Sequence, residues 1–303
     1  HNGTLTGTQA WCLVDSPHTI DGDVQVPDGV TLTIEAGALV RADDGEALLV
    51  EGVLAAVGTS AQPITFTSSA DTAGGQWAGI GVDGGAAHLA HAMVRYAGDG
   101  NDASTAVFNN GYYHSALTAR NGALTLQDTT VLTVTSGGYD HGLLIDDSTV
   151  VLTDTHFIGV GDGGAHDVAL RVNGADTVLE MRGCTFTGNT ANRVVLEPGA
   201  MTGYDATLAA QPVLEGYEFR ETYTVPPTFT LTLEPGVTLM GAQWKALLIE
   251  GELEALGTET QPITFTSALD SGSGQWGGIA FDGGSGHLRH ATVRYAGRRN
   301  AVT

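Results

Sequence analysis

One heptapeptide occurs twice and sets the register of the chain. Gln-Pro-Ile-Thr-Phe-Thr-Ser stands at residues 62–68 and again, 199 residues later, at residues 261–267. The same offset pairs residues 30–35 with 229–234, 75–77 with 274–276, and 91–98 with 290–297, without a gap. Such self-similarity is typical of a repeat architecture, so it constrains the fold more than any single motif does.

Short stretches within the repeat alternate between apolar and polar residues. In residues 30–35 and 64–67 apolar side chains alternate with Thr and Glu, which is typical of a strand with one buried face. Gly and Pro turns separate these stretches, so each strand holds only ~4–6 residues. The pattern predicts an all-β coil of short strands.

The copies divide the chain into segments. We predict one continuous solenoid over residues 1–303, with a first copy at 10–104, further rungs at 105–209, and a second, truncated copy at 210–303. In the middle segment strands recur at steps of 19 and 28 residues, from Thr130 to Thr149 and from Thr149 to Thr177. With about 22–25 residues per rung, we expect roughly 12–14 rungs.

The order of motifs in each copy resembles a known family. Ile-Glu-Ala-Gly (34–37), Val-Glu-Gly-Val-Leu (50–54), the heptapeptide, Gln-Trp-Ala-Gly-Ile (76–80) and His-Ala-Met-Val-Arg-Tyr-Ala-Gly (91–98) follow one another. This order is similar to that of secreted bacterial right-handed parallel β-helix repeat proteins, whose architecture is the pectate-lyase-like superfold. The resemblance implies a right-handed parallel β-helix forming a single elongated domain. It says little about function, because this fold carries lyases, hydrolases, epimerases, adhesins and structural fibres.

Charge excludes several partners. The chain has 12 Lys and Arg against 34 Asp and Glu, a net charge of −22, so we expect no binding to nucleic acid or anionic membrane surfaces. It contains no run of about twenty apolar residues, so membrane insertion is not expected. The sequence begins with His1 and not Met, which indicates a processed protein or a piece of a longer one.

Acidic residues are the best material for catalysis. Asp146 and Asp147, with His141 and Asp162 on nearby turns, are faintly similar to the carboxylate cluster of polysaccharide hydrolases of this fold. Neighbouring strand residues point to opposite faces, and the Gly-His-Gly and Arg-Ile-Lys stretches of those hydrolases are missing. Lyases of this fold need Ca²⁺ bound by several carboxylates, together with an Arg or Lys base. The only lysine, Lys245, aligns with Glu46 of the first copy and is not part of a recognisable group of this kind. We therefore assign no catalytic residue, metal ligand or cofactor.

Other motifs have a structural and a functional interpretation. Trp77 and Trp276 could stack on sugar rings or cover the end of the core, and their repetition favours the core. His88 and His91, like His287 and His290, lie three positions apart, which on one strand places them on opposite faces and not on one metal ion.

Acidic turns and cysteines leave further alternatives. Asp43-Asp44, Asp99-Gly-Asn-Asp102 and Asp162-Gly-Gly offer oxygens for Ca²⁺, but solvated turns are the simpler interpretation. Cys12 and Cys184 are two buried apolar side chains or partners in a disulfide.

Three functions remain open. The first is a secreted or cell-surface structural or adhesive solenoid, the second a carbohydrate-binding module, and the third a polysaccharide lyase or hydrolase. Duplication favours the first, because it extends a solenoid without building a unique site. The expected partners are other copies of the chain, stacked end to end as a filament, and extracellular polysaccharide.

Overall fold

The computed structural model describes residues 1–99 and 113–297. These residues form parallel β-strands joined by turns, with one short 3₁₀ helix (Leu13–Asp15). The chain divides into two compact units, residues 1–170 with 181–192, and residues 171–180 with 193–303. The predicted segment boundaries at 104 and 209 stay predictions. No helix in the described part of the chain is long and apolar enough to cross a membrane.

Strands β1 to β21 fall largely in unit 1, and β19 and β20 contribute residues to both units. Their bounds are β1 (Gly3–Thr4), β2 (Gln9–Trp11), β3 (His18–Ile20), β4 (Val24–Val26), β5 (Thr31–Ile34), β6 (Leu39–Ala42), β7 (Ala47–Val50), β8 (Val53–Val57), β9 (Ile64–Ser68), β10 (Gly79–Asp83), β11 (Ala86–Ala90), β12 (Ala92–Arg95), β13 (Tyr113–Arg120), β14 (Ala123–Gln127), β15 (Thr130–Val134), β16 (Tyr139–Asp146), β17 (Thr149–Thr153), β18 (His156–Val160), β19 (Val168–Asn173), β20 (Val178–Arg182) and β21 (Thr185–Thr187).

Unit 2 holds the remaining strands. They are β22 (Arg193–Leu196), β23 (Ala206–Leu208), β24 (Gly216–Phe219), β25 (Tyr223–Val225), β26 (Thr230–Leu233), β27 (Thr238–Gly241), β28 (Ala246–Ile249), β29 (Glu252–Leu256), β30 (Ile263–Ser267), β31 (Gly278–Phe281), β32 (Ser285–Arg289) and β33 (Ala291–Val293).

Each strand stacks in parallel on a strand of the coil before it, usually three strands earlier in the chain, which makes each unit a parallel β-solenoid. In unit 1, with the two strands that contribute to both units, sheet 1 runs β1-β4-β7-β10-β13-β16-β19, sheet 2 runs β2-β5-β8-β11-β14-β17-β20, and sheet 3 runs β3-β6-β9-β12-β15-β18-β21. In unit 2 the sheets are β22-β24-β27-β30-β33, β23-β26-β29-β32 and β25-β28-β31. The predicted all-β parallel solenoid is confirmed.

The inward-facing residues of the alternating strands form the core. Inward residues of consecutive coils lie above one another, as Phe157 and Phe186 do with ring centroids 5.5 Å apart. Ile64, Phe66, Ile263 and Phe265 are all fully buried, as predicted. Each such side chain contributes about 1.5–3 kcal/mol by leaving water.

The 199-residue register holds at the level of strand pairing. Leu39 pairs with Thr65 in unit 1, and Thr238 pairs with Thr264 in unit 2. Gly52 and Gly251 turn the chain at equivalent corners, where a Cβ would lie 2.3 Å from two carbonyl oxygens in each copy. Both copies therefore fold alike and need glycine at this turn.

The coils differ in length. From Gly3 to its partner Val24 the chain advances 21 residues. From Asp83 to its partner Arg120 the chain advances 37 residues, whereas from Leu117 to Leu143 it advances only 26.

Candidate functional site

The loop between β9 and β10 forms an arrangement that recurs between β30 and β31, which we call the repeated corner (residues 67–77 with 95, and 266–276 with 294). Trp77 and Trp276 are 1% and 0% exposed. Each indole Nε1 donates a hydrogen bond of 2.8 Å to a backbone oxygen, of Arg95 in one copy and Arg294 in the other. Both tryptophans therefore belong to the core and do not offer a face to a sugar.

Polar groups of the repeated corner bond one another. Arg95 Nη2 lies 2.7 Å from Asp71 Oδ2, and its Nε donates to Thr67 Oγ1 over 3.3 Å. Gln76 Oε1 accepts bonds from Ser68 Oγ and two loop amides. The second copy reproduces each of these contacts 199 positions later. Their repetition indicates a structural role.

A group of acidic side chains lies at the start of β16 and in the loop before β19. Oxygens of Asp140, Asp162 and Asp167 all lie within 4.8 Å of one another. Asp140 and Asp167 are 0% and 1% exposed, and Asp162 is exposed. We call these three residues the carboxylate cluster.

Backbone amides hold the Asp167 carboxylate. Its Oδ2 accepts hydrogen bonds from the amides of Asp162, Gly163 and Gly164 at 3.0, 3.2 and 2.7 Å. The φ of Gly163 is +110°, a left-handed value that lets the loop wrap around the carboxylate. Asp167 Oδ1 also accepts the amide of Asp140 at 3.1 Å. Several amide donors stabilise a buried negative charge.

Asp140 is bonded to a serine that also contacts a histidine. Ser136 Oγ donates to Asp140 Oδ1 over 2.6 Å and its amide to Oδ2 over 3.2 Å. His114 Nδ1 is within hydrogen-bond distance of the same Ser136 Oγ. Burial raises the pKa of Asp140, the Ser136 bonds oppose this, and the charges of Asp167 and Asp162 add to the increase.

This arrangement offers two kinds of chemistry. His114, Ser136 and Asp140 form a chain of hydrogen bonds along which a proton can pass. Carboxylate oxygens are also the ligands that Ca²⁺ prefers, and Asp140, Asp162 and Asp167 together could supply them.

Only one of the residues singled out for catalysis from the sequence, Asp162, joins this cluster. Asp146 lies at the end of β16 and Asp147 in the exposed turn after it. Burial raises the pKa of Asp146, the charge of Asp147 adds to this, and Arg120 opposes it. His141 is fully buried on β16.

Pairing across coils explains why Asp140 and Asp167 are not singled out from the sequence. His114 pairs with Asp140 on the next coil, and Asp167 follows Asp140 by 27 residues. His114, Asp140 and Asp167 lie on three consecutive coils. Polar residues that recur every 26–27 positions are therefore the sequence signal that would have identified this group.

A second acidic group involves one of the predicted histidines. His287 Nδ1 lies 2.6 Å from Glu254 Oε1 and 3.8 Å from Glu252 Oε1 on neighbouring strands. The bond to Glu254 raises the pKa of His287, with the charges of Glu254 and then Glu252 adding to it. His287 thus meets two carboxylates and not His290.

The other candidates are dispersed. His88 is exposed on β11, and His91 lies in the next turn with its Nε2 3.8 Å from Asp128 Oδ2. Lys245 forms an ion pair with Glu221. Of the proposed calcium turns, Asp43 accepts a hydrogen bond from Ser69 Oγ, and Asp99 is buried, while Asp102 lies outside the described residues.

Both cysteines are free thiols. Cys184 is fully buried and its Sγ lies 3.5 Å from Leu152 O and 3.6 Å from Arg182 O. Thr129 and Thr155 make the same pair of contacts on the two preceding coils. Cys184 therefore occupies a threonine position in the interior, and Cys12 is half-buried.

Residues 6–137 match the family model described as the pectate-lyase-like β-helix domain. The match agrees with the resemblance seen in the sequence and with the parallel solenoid. A comparison with curated proteins gave no significant match. A comparison with solved structures gave none either.

Proposed function

We propose that this chain is an extracellular structural or adhesive β-solenoid. The repeated corner is the observation that carries the proposal. Its Arg, Asp, Gln and Trp side chains make the same contacts in both copies, and they bond one another. Duplication of such a unit lengthens a solenoid and multiplies its lateral surface.

Location and assembly are part of the proposal. The resemblance to secreted β-helix proteins supports a place outside the cell or on its surface. End-to-end association of copies stays a prediction, which light scattering on the purified chain over a range of dilutions tests.

The first experiment concerns location. The gene is expressed in its own cells, and intact cells are treated with a protease or with an antibody against the chain. The solenoid role predicts that the chain is accessible or is found in the medium. A chain found only inside intact cells would overturn the proposal.

The second experiment concerns chemistry. The purified chain is incubated with neutral and acidic polysaccharides, and new reducing ends and unsaturated products are measured. A structural or adhesive solenoid releases neither. Product formation that disappears with Asp140→Asn would contradict the non-catalytic role.

Polysaccharide cleavage is the second candidate function, and the carboxylate cluster favours it. A buried carboxyl of raised pKa beside a carboxylate held by amides resembles the acid and base pairs of hydrolases. Asp140 would hold the proton and Asp167 the negative charge, with Ser136 and His114 linking Asp140 to the surface. The Asp140→Asn comparison above decides between the two functions.

A further inference from the structure

The outer face of sheet 2 in unit 1 is uncharged over five consecutive strands, and the charged residues Glu180 and Arg182 appear on that face only at the next strand, β20. Strands β5, β8, β11, β14 and β17 alternate between buried residues and residues that point away from the core. We call the outward positions the neutral face, on which Ala90 is buried at 5% exposure and the others are half-buried or exposed: Thr31, Thr33, Val53, Ala55, Val57, Ala86, His88, Ala90, Ala123, Thr125, Gln127, Thr149, Val151 and Thr153. Strand pairing places them in three straight ranks, for example Val53 beside Ala86 and Ala55 beside His88.

This face is unusual for so acidic a chain. The net charge is −22, yet none of the fourteen residues is Asp, Glu, Lys or Arg. Val53 and Val57 are 43% and 47% exposed. Exposed apolar side chains grouped on one face indicate a surface that binds something.

The second copy shows that the fold does not require an uncharged face here. Glu252 and Glu254 on β29 stand where Val53 and Ala55 stand on β8, and Arg289 stands where Ala90 does. Glu252 pairs with Ser285 just as Val53 pairs with Ala86. Because the same strands accept charges in unit 2, the neutrality in unit 1 calls for another cause.

Carboxylates line both edges of the neutral face. Asp28, Glu51 and Asp147 lie in exposed turns before β5, β8 and β17. On the opposite edge the exposed residues Glu35, Asp128 and Asp154 follow β5, β14 and β17. A second copy packed face to face would bring acidic edges together, and a polyanion would meet the same repulsion.

We propose that the neutral face binds an uncharged polysaccharide. The methyl groups of Val, Ala and Thr can pack on the apolar faces of sugar rings, and the edge carboxylates can accept hydrogen bonds from sugar hydroxyls. Ranks repeating every ~4.8 Å from strand to strand present a periodic surface to a periodic polymer. The proposal names a ligand class for the adhesive part of the proposed function and rests on that part.

Binding of the full chain to insoluble polymers tests the proposal. Cellulose, chitin, mannan and a neutral β-glucan are compared with gels of polygalacturonate and alginate in depletion isotherms. We expect retention on at least one neutral polymer and none on the two anionic gels. In Val53→Glu/Ala55→Glu, which copies the residues of unit 2, retention should fall about tenfold or more, because two charges would lose water against a neutral surface.

Two controls keep the result interpretable. Ala86→Ser, which copies Ser285, should change retention by less than about twofold, and thermal unfolding should show that all variants fold. The proposal is overturned by no retention on any neutral polymer, by unchanged retention of the double glutamate variant, or by a dimer that this variant abolishes. Each of these results is distinguishable from failure of the proposed function, which depends on where intact cells place the chain.

Discussion

Arg95 Nη2 lies 2.7 Å from Asp71 Oδ2, an ion pair that closes the loop between β9 and β10. The guanidinium also lies 5.4 Å from the ring centroid of Tyr96. Arg294, Asp270 and Tyr295 repeat this geometry in unit 2. An ion pair retained in both copies, with the same ring beneath it, indicates that the loop closure supports the strand stack.

Arg95→Ala should destabilise the chain by about 1–2 kcal/mol, the range for a hydrogen-bonded and partly buried charge. The two side chains of this pair are 28% and 32% exposed. Urea unfolding followed by tryptophan fluorescence measures the change.

Arg294→Ala is the matched control. Its pair is more exposed, at 45% and 41%, so the loss should stay below about 1 kcal/mol. Equal losses in the two variants would show that solvent exposure does not set the value of this ion pair.

Trp77→Ala should cost about 3–5 kcal/mol, the usual cost of deleting a buried large aromatic side chain. The indole is 1% exposed and bonded to Arg95 O, so polysaccharide retention per folded molecule should not change. Differential scanning calorimetry and the depletion isotherms give the two quantities. A loss of retention by a folded Trp77→Phe variant would contradict the assignment of Trp77 to the core.

The alternating pattern was sufficient to predict most of the strands. β5 (Thr31–Ile34) lies within the alternating residues 30–35, and β9 (Ile64–Ser68) extends the alternating residues 64–67 by one. β16 (Tyr139–Asp146) has no such alternation to mark its ends, because six of its eight residues are buried. A strand covered on both faces carries no period that marks its ends.

The carboxylate cluster could be predicted only in part. Asp162 stands out because two glycines follow it, but its partners Asp140 and Asp167 come from other positions of the coil. Coil lengths vary from 21 residues at Gly3 to 37 residues at Asp83. Without a constant period, the sequence does not show which turns lie above one another.

His287 should titrate above its ordinary pKa of 6.5, because its bond to Glu254 and that charge favour the protonated ring. Glu254→Gln should lower the pKa towards 6.5, and Glu252→Gln, whose carboxylate is 3.8 Å away, should lower it less. The raised pKa favours the folded state fully below pH 6.5, and this contribution is lost as the pH rises through the raised value. Proton NMR of the imidazole resonances measures all three proteins, and the reverse order of the two glutamine variants would refute the assignment.

Asp140 should make the chain less stable as the pH rises. Burial raises its pKa above the ordinary 3.8, so ionisation is harder in the folded than in the unfolded chain. The favourable contribution is complete below pH 3.8 and is lost as the pH rises through the raised pKa. The asparagine of Asp140→Asn does not ionise, so this pH-dependent loss is absent from the variant. Its free energy of unfolding should therefore rise relative to that of the wild type across that window, by at most about 1.4 kcal/mol per pH unit.

Ser136→Ala provides the opposite change for the same titration. The Ser136 bonds lower the pKa of Asp140 and so oppose the effect of burial. Without the hydroxyl the pKa should rise further, and the loss of stability with pH should extend to higher pH than in wild type. Urea unfolding at half-unit intervals from about pH 4 to pH 8 measures the three curves. Parallel curves for wild type and Asp140→Asn would show that burial of Asp140 does not govern the pH dependence, because the remaining carboxylates are common to both proteins.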